Sequence, residues 1–368
     1  MHPFFNDPSL PQPIQQALRA MNFENPTPIQ AQAIPAALKG QDAIALAQTG
    51  TGKTAAFCIP TLVRLLAEPD CTALILAPTR ELAQQIDGVW KNLTQFTREI
   101  RSTVLVGGNA MKPQIRSLGL RPRLLIATPG RLIDHLNQRS ANLSKTGILV
   151  LDEADRMLDM GFAPQLSQIL RFVPHNRQTL LFSATWNSTM DGLSRRYLKS
   201  PVRISVAAAS QVAQTISQSM ISTTAQGKND ALLDELNQRQ GSVLVFARTK
   251  SRTDKVARYL ASCGMDVNRI HGGRTQGQRN SALAAFREGK ARVLVATDIA
   301  ARGIDVERIA HVINYDLPQV PEDYVHRIGR TGRAGAKGHA VSLVTPEDRA
   351  QWREIAKLLQ RAGSQVPA

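Results

Sequence analysis

DAIALAQTGTGKT, residues 42–54, begins as an apolar run and ends as a basic, glycine-spaced loop. The run has no polar alternation, the pattern of a strand covered on both faces of a parallel sheet. The stretch AQTGTGKT (47–54) fits a phosphate-binding loop between strand and helix, with Ala47 in place of the usual first glycine. Gly50 and Gly52 would let backbone N–H groups approach phosphate oxygens, and the start of the next helix favours negative charge. Thr49 and Thr51 complete the loop, Lys53 reaches the β- and γ-phosphates, and Thr54 ligates Mg²⁺. In open α/β sheets such ligands collect at the carboxyl ends of the strands.

Similar apolar runs recur through the chain. In the first half they lie within 73–79, 102–108, 123–130, 147–152 and 178–185, separated by helix-like stretches such as 81–96. A small, polar segment, 207–219, interrupts the pattern and contains a linker. A second series follows within 241–248, 266–271, 291–297, 310–316 and 339–345, and an amphipathic helix is expected around 346–361. Strand–helix alternation on this scale predicts a doubly wound α/β fold with parallel sheets. The 368 residues suggest two domains of about 150–200 residues each.

Composition narrows the partners. The chain carries 45 Lys+Arg against 29 Asp+Glu, a net charge of +16. Residues 1–207 hold 22 basic and 14 acidic residues and the remainder 23 and 15, so each part is +8. A surplus shared evenly suggests that both halves touch a polyanion, most simply a nucleic acid backbone. Cys58, Cys71 and Cys263 are odd in number and lack metal-type spacing, which reads as reduced thiols in the cytosol. The first residues do not resemble a signal peptide, and no window approaches the ~18 apolar residues of a membrane span.

The apolar run 147–151 stops abruptly at Asp152, Glu153 and Asp155. Carboxylates this close repel one another and need a cation near a core. The phosphate loop supplies one: Asp152 would hold Mg²⁺ through water, and Glu153 would orient and deprotonate the attacking water. Both can serve one site only where the strand is ending, because successive strand side chains point opposite ways. An acidic helix cap remains the alternative, Asp155 in particular being suited to capping or interdomain work.

With these motifs in order, the chain resembles a DEAD-box RNA helicase. The resemblance is carried by FENPTPIQ (23–30), AQTGTGKT (47–54), PTRELA (78–83), Gly107-Gly108, TPGR (128–131), DEAD (152–155), SAT (183–185), VFART (245–249), QGQR (276–279), ATDIAARGID (296–305) and HRIGRTGR (326–333). It spans almost the whole chain, and the bacterial RhlE-like branch is the placement within the family. It implies two RecA-like domains, an ATP-binding one at 1–206 and a helicase one at 216–368, joined by a linker at 207–215. It also implies that Gln30 reads the adenine edge with its amide while Phe23 stacks on the ring. Phe5, with Phe4, either supports that loop or pins a terminal segment to the surface. Gly303 and Asp305 approach the ribose, and Arg330 and Arg333 are arginine fingers toward the transferring phosphoryl group. His326 joins Ser183 and Thr185 in linking the sites, and Asp155 belongs to the same chain of contacts.

The RNA track implied by the family comprises Thr79, Arg80, Gly107, Gly108, Thr128, Gly130 and Arg131, then Arg248, Thr249, Gln276, Arg279 and Thr297. These hydroxyls, amides, guanidiniums and exposed backbone suit phosphate and sugar rather than base edges. Aromatics make up 5% of residues, so a base-stacking platform is not expected. Binding should be sequence-independent and salt-sensitive. Gly273 stands where the family often places Asp, which puts the local RNA role of 271–279 in question. The expected activity is RNA-dependent ATP hydrolysis with local strand separation, by a cytosolic monomer whose ribosomal or RNA-degradation partners stay open. A non-enzymatic ATP-gated RNA clamp and a DNA translocase are the competing readings.

Overall fold

The computed structural model describes residues 3–7, 10–47, 50–97, 99–186, 188–206, 216–301, 309–332 and 337–361. The chain divides into two compact units, residues 1–207 and 208–368. The linker assigned to 207–215 lies outside the described residues. Among the described residues no helix is long and apolar enough to cross a membrane.

The first unit contains strands β1 (Ala43–Leu46), β2 (Thr72–Leu76), β3 (Ser102–Leu105), β4 (Leu124–Ala127), β5 (Thr146–Leu151), β6 (Gln178–Ser183) and β7 (Val202–Ser205). The second contains β8 (Ile216–Ser222), β9 (Val243–Phe246), β10 (Val267–Ile270), β11 (Val293–Ala296), β12 (His311–Asn314) and β13 (Gly338–Val344). They form two sheets, in the orders β3-β4-β2-β5-β6-β1-β7 and β10-β11-β9-β12-β13-β8. All their pairings are parallel.

The uninterrupted apolar runs are explained by what covers them. Ile148 and Val150 of β5 enter one core with the helix Lys53–Ala67, while Leu149 and Leu151 enter another on the opposite face. In β9, Leu244 and Phe246 face one core and Val243 and Val245 the other. A strand buried on both faces has no position at which a polar side chain is free of cost, so its alternation disappears.

β7 (VRIS) and β8 (ISQSMIS) escaped the periodicity reading for the converse reason. Each lies at one edge of its sheet. Each leaves several side chains exposed or half-buried, so neither needs a continuous apolar run.

The sheet orders contain a repeat that the residues do not advertise. Every strand of the first sheet except β7 corresponds to the strand seven later in the second: β3 to β10, β4 to β11, β2 to β9, β5 to β12, β6 to β13, β1 to β8. The loops after β2 and β9 also match. Thr79 and Thr249 each cap the next helix, with φ −130° and ψ 157° and 158°, their hydroxyls accepting from Leu82 N at 3.3 Å and Arg252 N at 3.1 Å.

In the second unit, Arg327 ties the strand ends together. Its Nε and Nη2 bond the two oxygens of Asp298 at 2.5 and 2.7 Å. Its Nη1 bonds Asn314 Oδ1 at 3.0 Å and Asp316 O at 2.6 Å. The guanidinium also lies 4.9 Å from the centre of the Phe246 ring. Arg327→Met, which keeps bulk but strands these acceptors, should cost about 3–5 kcal/mol. Hydrogen exchange should show protection lost in β11 and β12 and retained in β1–β6.

Candidate functional site

The first unit's strand ends gather the phosphate loop, the acidic cluster and the Phe23–Gln30 segment. β1 leads into the loop, of which Gln48 and Thr49 lie outside the described residues. Gly50 and Gly52 take φ of 83° and 90°, which glycine adopts without steric cost, before the helix opens at Lys53. Lys53 is buried, and its Nζ makes no hydrogen bond among the described residues. A buried ammonium without an acceptor is costly, and at the start of a helix it marks a seat for an anion.

Asp152 faces this ammonium. Burial pushes its carboxyl up to about 7; Lys53 pulls it down, and Glu153 and Asp155 push it further up. A hard divalent cation would restore its charge. Among the described residues no group of three or more His, Cys, Asp or Glu could enclose a metal ion. Mg²⁺ needs no such cage when phosphates and water supply most of its ligands; Thr54 follows Lys53 in the first turn of its helix, and Asp152 offers a buried carboxylate.

The strand ends at Leu151, just before the first carboxylate. Asp152 N still donates to Leu76 O at 3.0 Å, and Asp152 Oδ1 accepts from Glu153 N at 3.0 Å. Glu153 then adopts φ 48°, a left-handed conformation that costs a non-glycine residue about 1–3 kcal/mol. That kink breaks the alternation which would send the two side chains to opposite faces. Glu153 occupies the cap position of the helix Ala154–Asp159 without a capping hydrogen bond. Its Oε2 is instead held by Arg156 Nη1 at 2.5 Å. Asp152 is not the helix cap either.

Asp155 turns to β6. Its Oδ2 accepts from Ala184 N at 3.1 Å, Thr185 N at 2.8 Å and Thr185 Oγ1 at 2.9 Å, while Ser183 Oγ donates to Thr185 O at 2.7 Å. One carboxylate oxygen thus anchors the whole SAT segment.

Gln30 reaches the phosphate loop from the side. Its Oε1 accepts from Thr27 N at 3.0 Å, at the start of the helix Pro28–Leu38, and its Nε2 donates to Gly52 O at 3.2 Å. The amide retains one hydrogen and one lone pair for another partner. Phe5 is fully buried and meets Phe23 edge-on, ring centres 5.5 Å apart, with Phe4 edge-on to Phe5 at 5.2 Å. Phe5 is therefore a core residue that supports Phe23.

In the second unit Arg330 is buried and His326 half-buried. Arg330 lies between two fixed points, Arg327 and Thr331, whose hydroxyl donates to Ile309 O at 2.6 Å. Gly303, Asp305 and Arg333 lie outside the described residues. The place equivalent to the phosphate loop is filled: Lys228, opening the helix Lys228–Gln238 after β8, meets Asp316 at 3.4 Å and Asp348 at 3.1 Å. Asp316 follows β12, as Asp152 follows β5.

The proposed RNA residues also sit at strand ends. Arg80 lies against Gly107 and Gly108: a Cβ at Gly108, where φ is 79°, would come within 1.8 Å of Arg80 Nη1. Arg131 Nη1 donates to Asn109 O at 2.9 Å, Gly130 is exposed and Thr128 half-buried. Arg248 and Thr249 are exposed, whereas Thr79, Gln276, Arg279 and Thr297 are buried. Gln276 Nε2 donates to Asn280 Oδ1 at 3.0 Å. At the questioned Gly273, the backbone N–H donates to His271 Nδ1 at 3.1 Å, and His271 Nε2 lies 3.1 Å from Asp254.

Comparison with known proteins fits this arrangement. Residues 27–193 match the DEAD/DEAH box helicase family and residues 227–335 the helicase conserved C-terminal domain. The chain is 43% identical to the ATP-dependent RNA helicase DBP2 of Candida albicans, covering 100% of this chain and 67% of that protein. It is also 43% identical to the DEAD-box ATP-dependent RNA helicase CshA of Bacillus subtilis, covering 97% and 72%. The chain belongs to the DEAD-box family of ATP-dependent RNA helicases.

Solved DEAD-box structures share its fold. Saccharomyces cerevisiae Dbp5 bound to RNA and ADP BeF3 has TM-score 0.85 and 32% identity, covering 97% of this chain and 93% of that one. Mss116p bound to ssRNA and AMP-PNP has TM-score 0.89 and 30% identity, covering 99% and 77%. The chain spans about two thirds of the length of the first curated relatives it matches, 67% and 63%. Within this DEAD-box chain, the motif reading overlooked three side chains. Arg156 carried a signal, its i,i+3 spacing from Glu153. Gln114 and Lys228 carried none.

A Cβ at Gly52 would lie 2.5 Å from Gln30 Nε2 at a positive φ. Gly52→Ala should therefore weaken nucleotide binding about tenfold or more, read by titration with a fluorescent ATP analogue.

Proposed function

We propose that this DEAD-box helicase couples ATP hydrolysis to local separation of short RNA duplexes, or to remodelling of RNA–protein complexes, through ATP-driven closure of its two units. The observation that carries the reading is the division of labour among adjacent carboxylates. Asp152 faces the buried Lys53, Glu153 is held by Arg156, and Asp155 anchors Ala184 and Thr185. Occupancy of the nucleotide seat and the position of the SAT segment are thereby joined across a single short turn.

In this reading ATP sits on the loop 47–54, with the phosphates on Lys53 and the amides of Gly50, Thr51 and Gly52. Thr49 lines the same loop, Gln30 meets the base edge, and Phe23 meets its face. Mg²⁺, held by Thr54 and through water by Asp152, would neutralise charge on the β- and γ-phosphates. Glu153 orients and deprotonates the attacking water, and Arg330 and Arg333 supply positive charge to the transferring phosphoryl group. Gly303 and Asp305 meet the ribose, and His326 works with Ser183 and Thr185. The RNA is gripped by its sugar–phosphate backbone, without sequence preference, along the two sets of strand-end residues. A bound strand that is bent no longer fits a duplex, and phosphate release reopens the units. The protein works as a cytosolic monomer, and ribosomal or RNA-degradation partners choose the RNA.

ATP turnover measured with and without single-stranded RNA tests this. Turnover should rise with RNA, and RNA-independent turnover would refute the coupling. Glu153→Gln should lose nearly all turnover while keeping ATP-dependent RNA binding. Loss of ATP binding in that variant would instead make Glu153 a structural residue.

A further inference from the structure

The loop carrying Gly107 and Gly108 is held from beneath by a side chain that no motif includes. Gln114, on the helix Met111–Gly119, is buried. Its Nε2 donates to Val106 O at 3.1 Å and to Ala110 O at 3.3 Å, one residue before and two residues after the glycine pair. Both amide hydrogens are thereby used, so Oε1 accepts, and it lies 3.2 Å from His135 Nε2. His135 Nε2 must then carry a hydrogen, and Nδ1 lies 2.8 Å from Ser140 Oγ, whose hydroxyl is also 3.1 Å from His135 O.

His135 is 0% exposed and lies on the helix Pro129–Asn137, one turn after Arg131. Arg131 bonds Asn109 O. The helix that begins in TPGR therefore grips the glycine loop twice, directly through Arg131 and indirectly through His135 and Gln114. Burial, and secondarily the nearby Arg131 charge, lower the pKa of His135, and the Nε2–H that faces Gln114 is present in the neutral ring. Gly107 and Gly108 have no side chains of their own to set their position, and Gly108 keeps a positive φ. A loop of this kind needs its carbonyls held from outside.

We propose that Gln114 and His135 are positioning residues for RNA binding. They set the height and spacing of the Gly107–Gly108 backbone relative to Thr128–Arg131, so that both meet successive parts of one RNA strand. The proposal rests on reading the glycine loop as an RNA contact. Neither residue touches the nucleotide seat, so the effect falls on RNA affinity and not on the chemical step.

The test is RNA-stimulated ATP turnover in the full chain as a function of a single-stranded oligonucleotide. Gln114→Leu, similar in size but unable to donate, should raise the KM for RNA by about five- to tenfold. The turnover number at saturating RNA and the KM for ATP should stay within about twofold. His135→Leu should behave alike. His135→Gln, whose amide can still donate toward Gln114, should restore most of the RNA affinity. Gly108→Ala, whose Cβ would strike the Arg80 guanidinium, reports on the loop itself.

If Gly108→Ala raises the RNA KM and Gln114→Leu does not, the positioning role is wrong while the RNA reading stands. If Gly108→Ala also leaves it unchanged, the RNA reading of the loop falls, and the proposal with it. A parallel loss of turnover number, ATP affinity and thermal stability in Gln114→Leu would show a general packing role and overturn the proposal. Equal loss in His135→Gln and His135→Leu would overturn the hydrogen-bond relay.

Discussion

A buried ammonium with no hydrogen-bond partner among the described residues is the constraint around which the first unit is arranged. Lys53 sits at the opening of a helix, after a loop of positive-φ glycines, and its charge acts on the buried Asp152. Leaving a charge so poorly compensated costs several kcal/mol unless an anion arrives. The surrounding structure does not relieve it. Asp152 is itself buried and pushed upward in pKa, Glu153 is occupied by Arg156, and Asp155 by the SAT segment. The cores on both sheet faces hold β1 and β5 in place around this pair.

The second unit shows the same architecture with the constraint removed. Its strands follow the same order, and a Gly–Lys pair again opens the helix after the strand that matches β1. There Lys228 meets two carboxylates, Asp316 and Asp348. Asp316 also accepts from Arg248 N at 3.0 Å and meets Arg252 at 3.3 Å. A seat filled by its own carboxylates has no room for phosphate, electrostatically or sterically. What was a ligand site in one unit is an internal brace in the other, and the brace fixes the loop bearing Arg248 and Thr249. The physical difference is one of charge pairing, since the backbone path is shared.

The loop proposed to meet RNA is built on a similar economy of side chains. Glycines at 107 and 108 leave room for the Arg80 guanidinium beside the backbone, and the flanking carbonyls of Val106, Ala110 and Asn109 are bonded by Gln114 and Arg131. In the second unit, His271 holds the N–H of Gly273. The absence of the acidic side chain common in the family at that position leaves a loop organised by its backbone. Grip on phosphate and sugar demands backbone amides and fixed cations more than it demands base-reading side chains.

By itself the sequence determined the two parallel sheets and the family's motifs at their strand ends. Strands buried on both faces must be continuously apolar, and glycines, lysine and carboxylates recur at spacings set by phosphate and metal geometry, so both features are written locally. β7 and β8 were not legible because each lies at a sheet edge with one buried side chain, so neither needs such a run. Nor were Gln114, His135 and Lys228, whose work lies in hydrogen bonds and ion pairs, most of them between residues distant in the chain. The same Gly–Lys dipeptide ends in an unsatisfied ammonium at residue 53 and in a closed ion-pair cluster at residue 228. Only the tertiary structure decides between them, because the outcome depends on which carboxylates the neighbouring strands bring within reach.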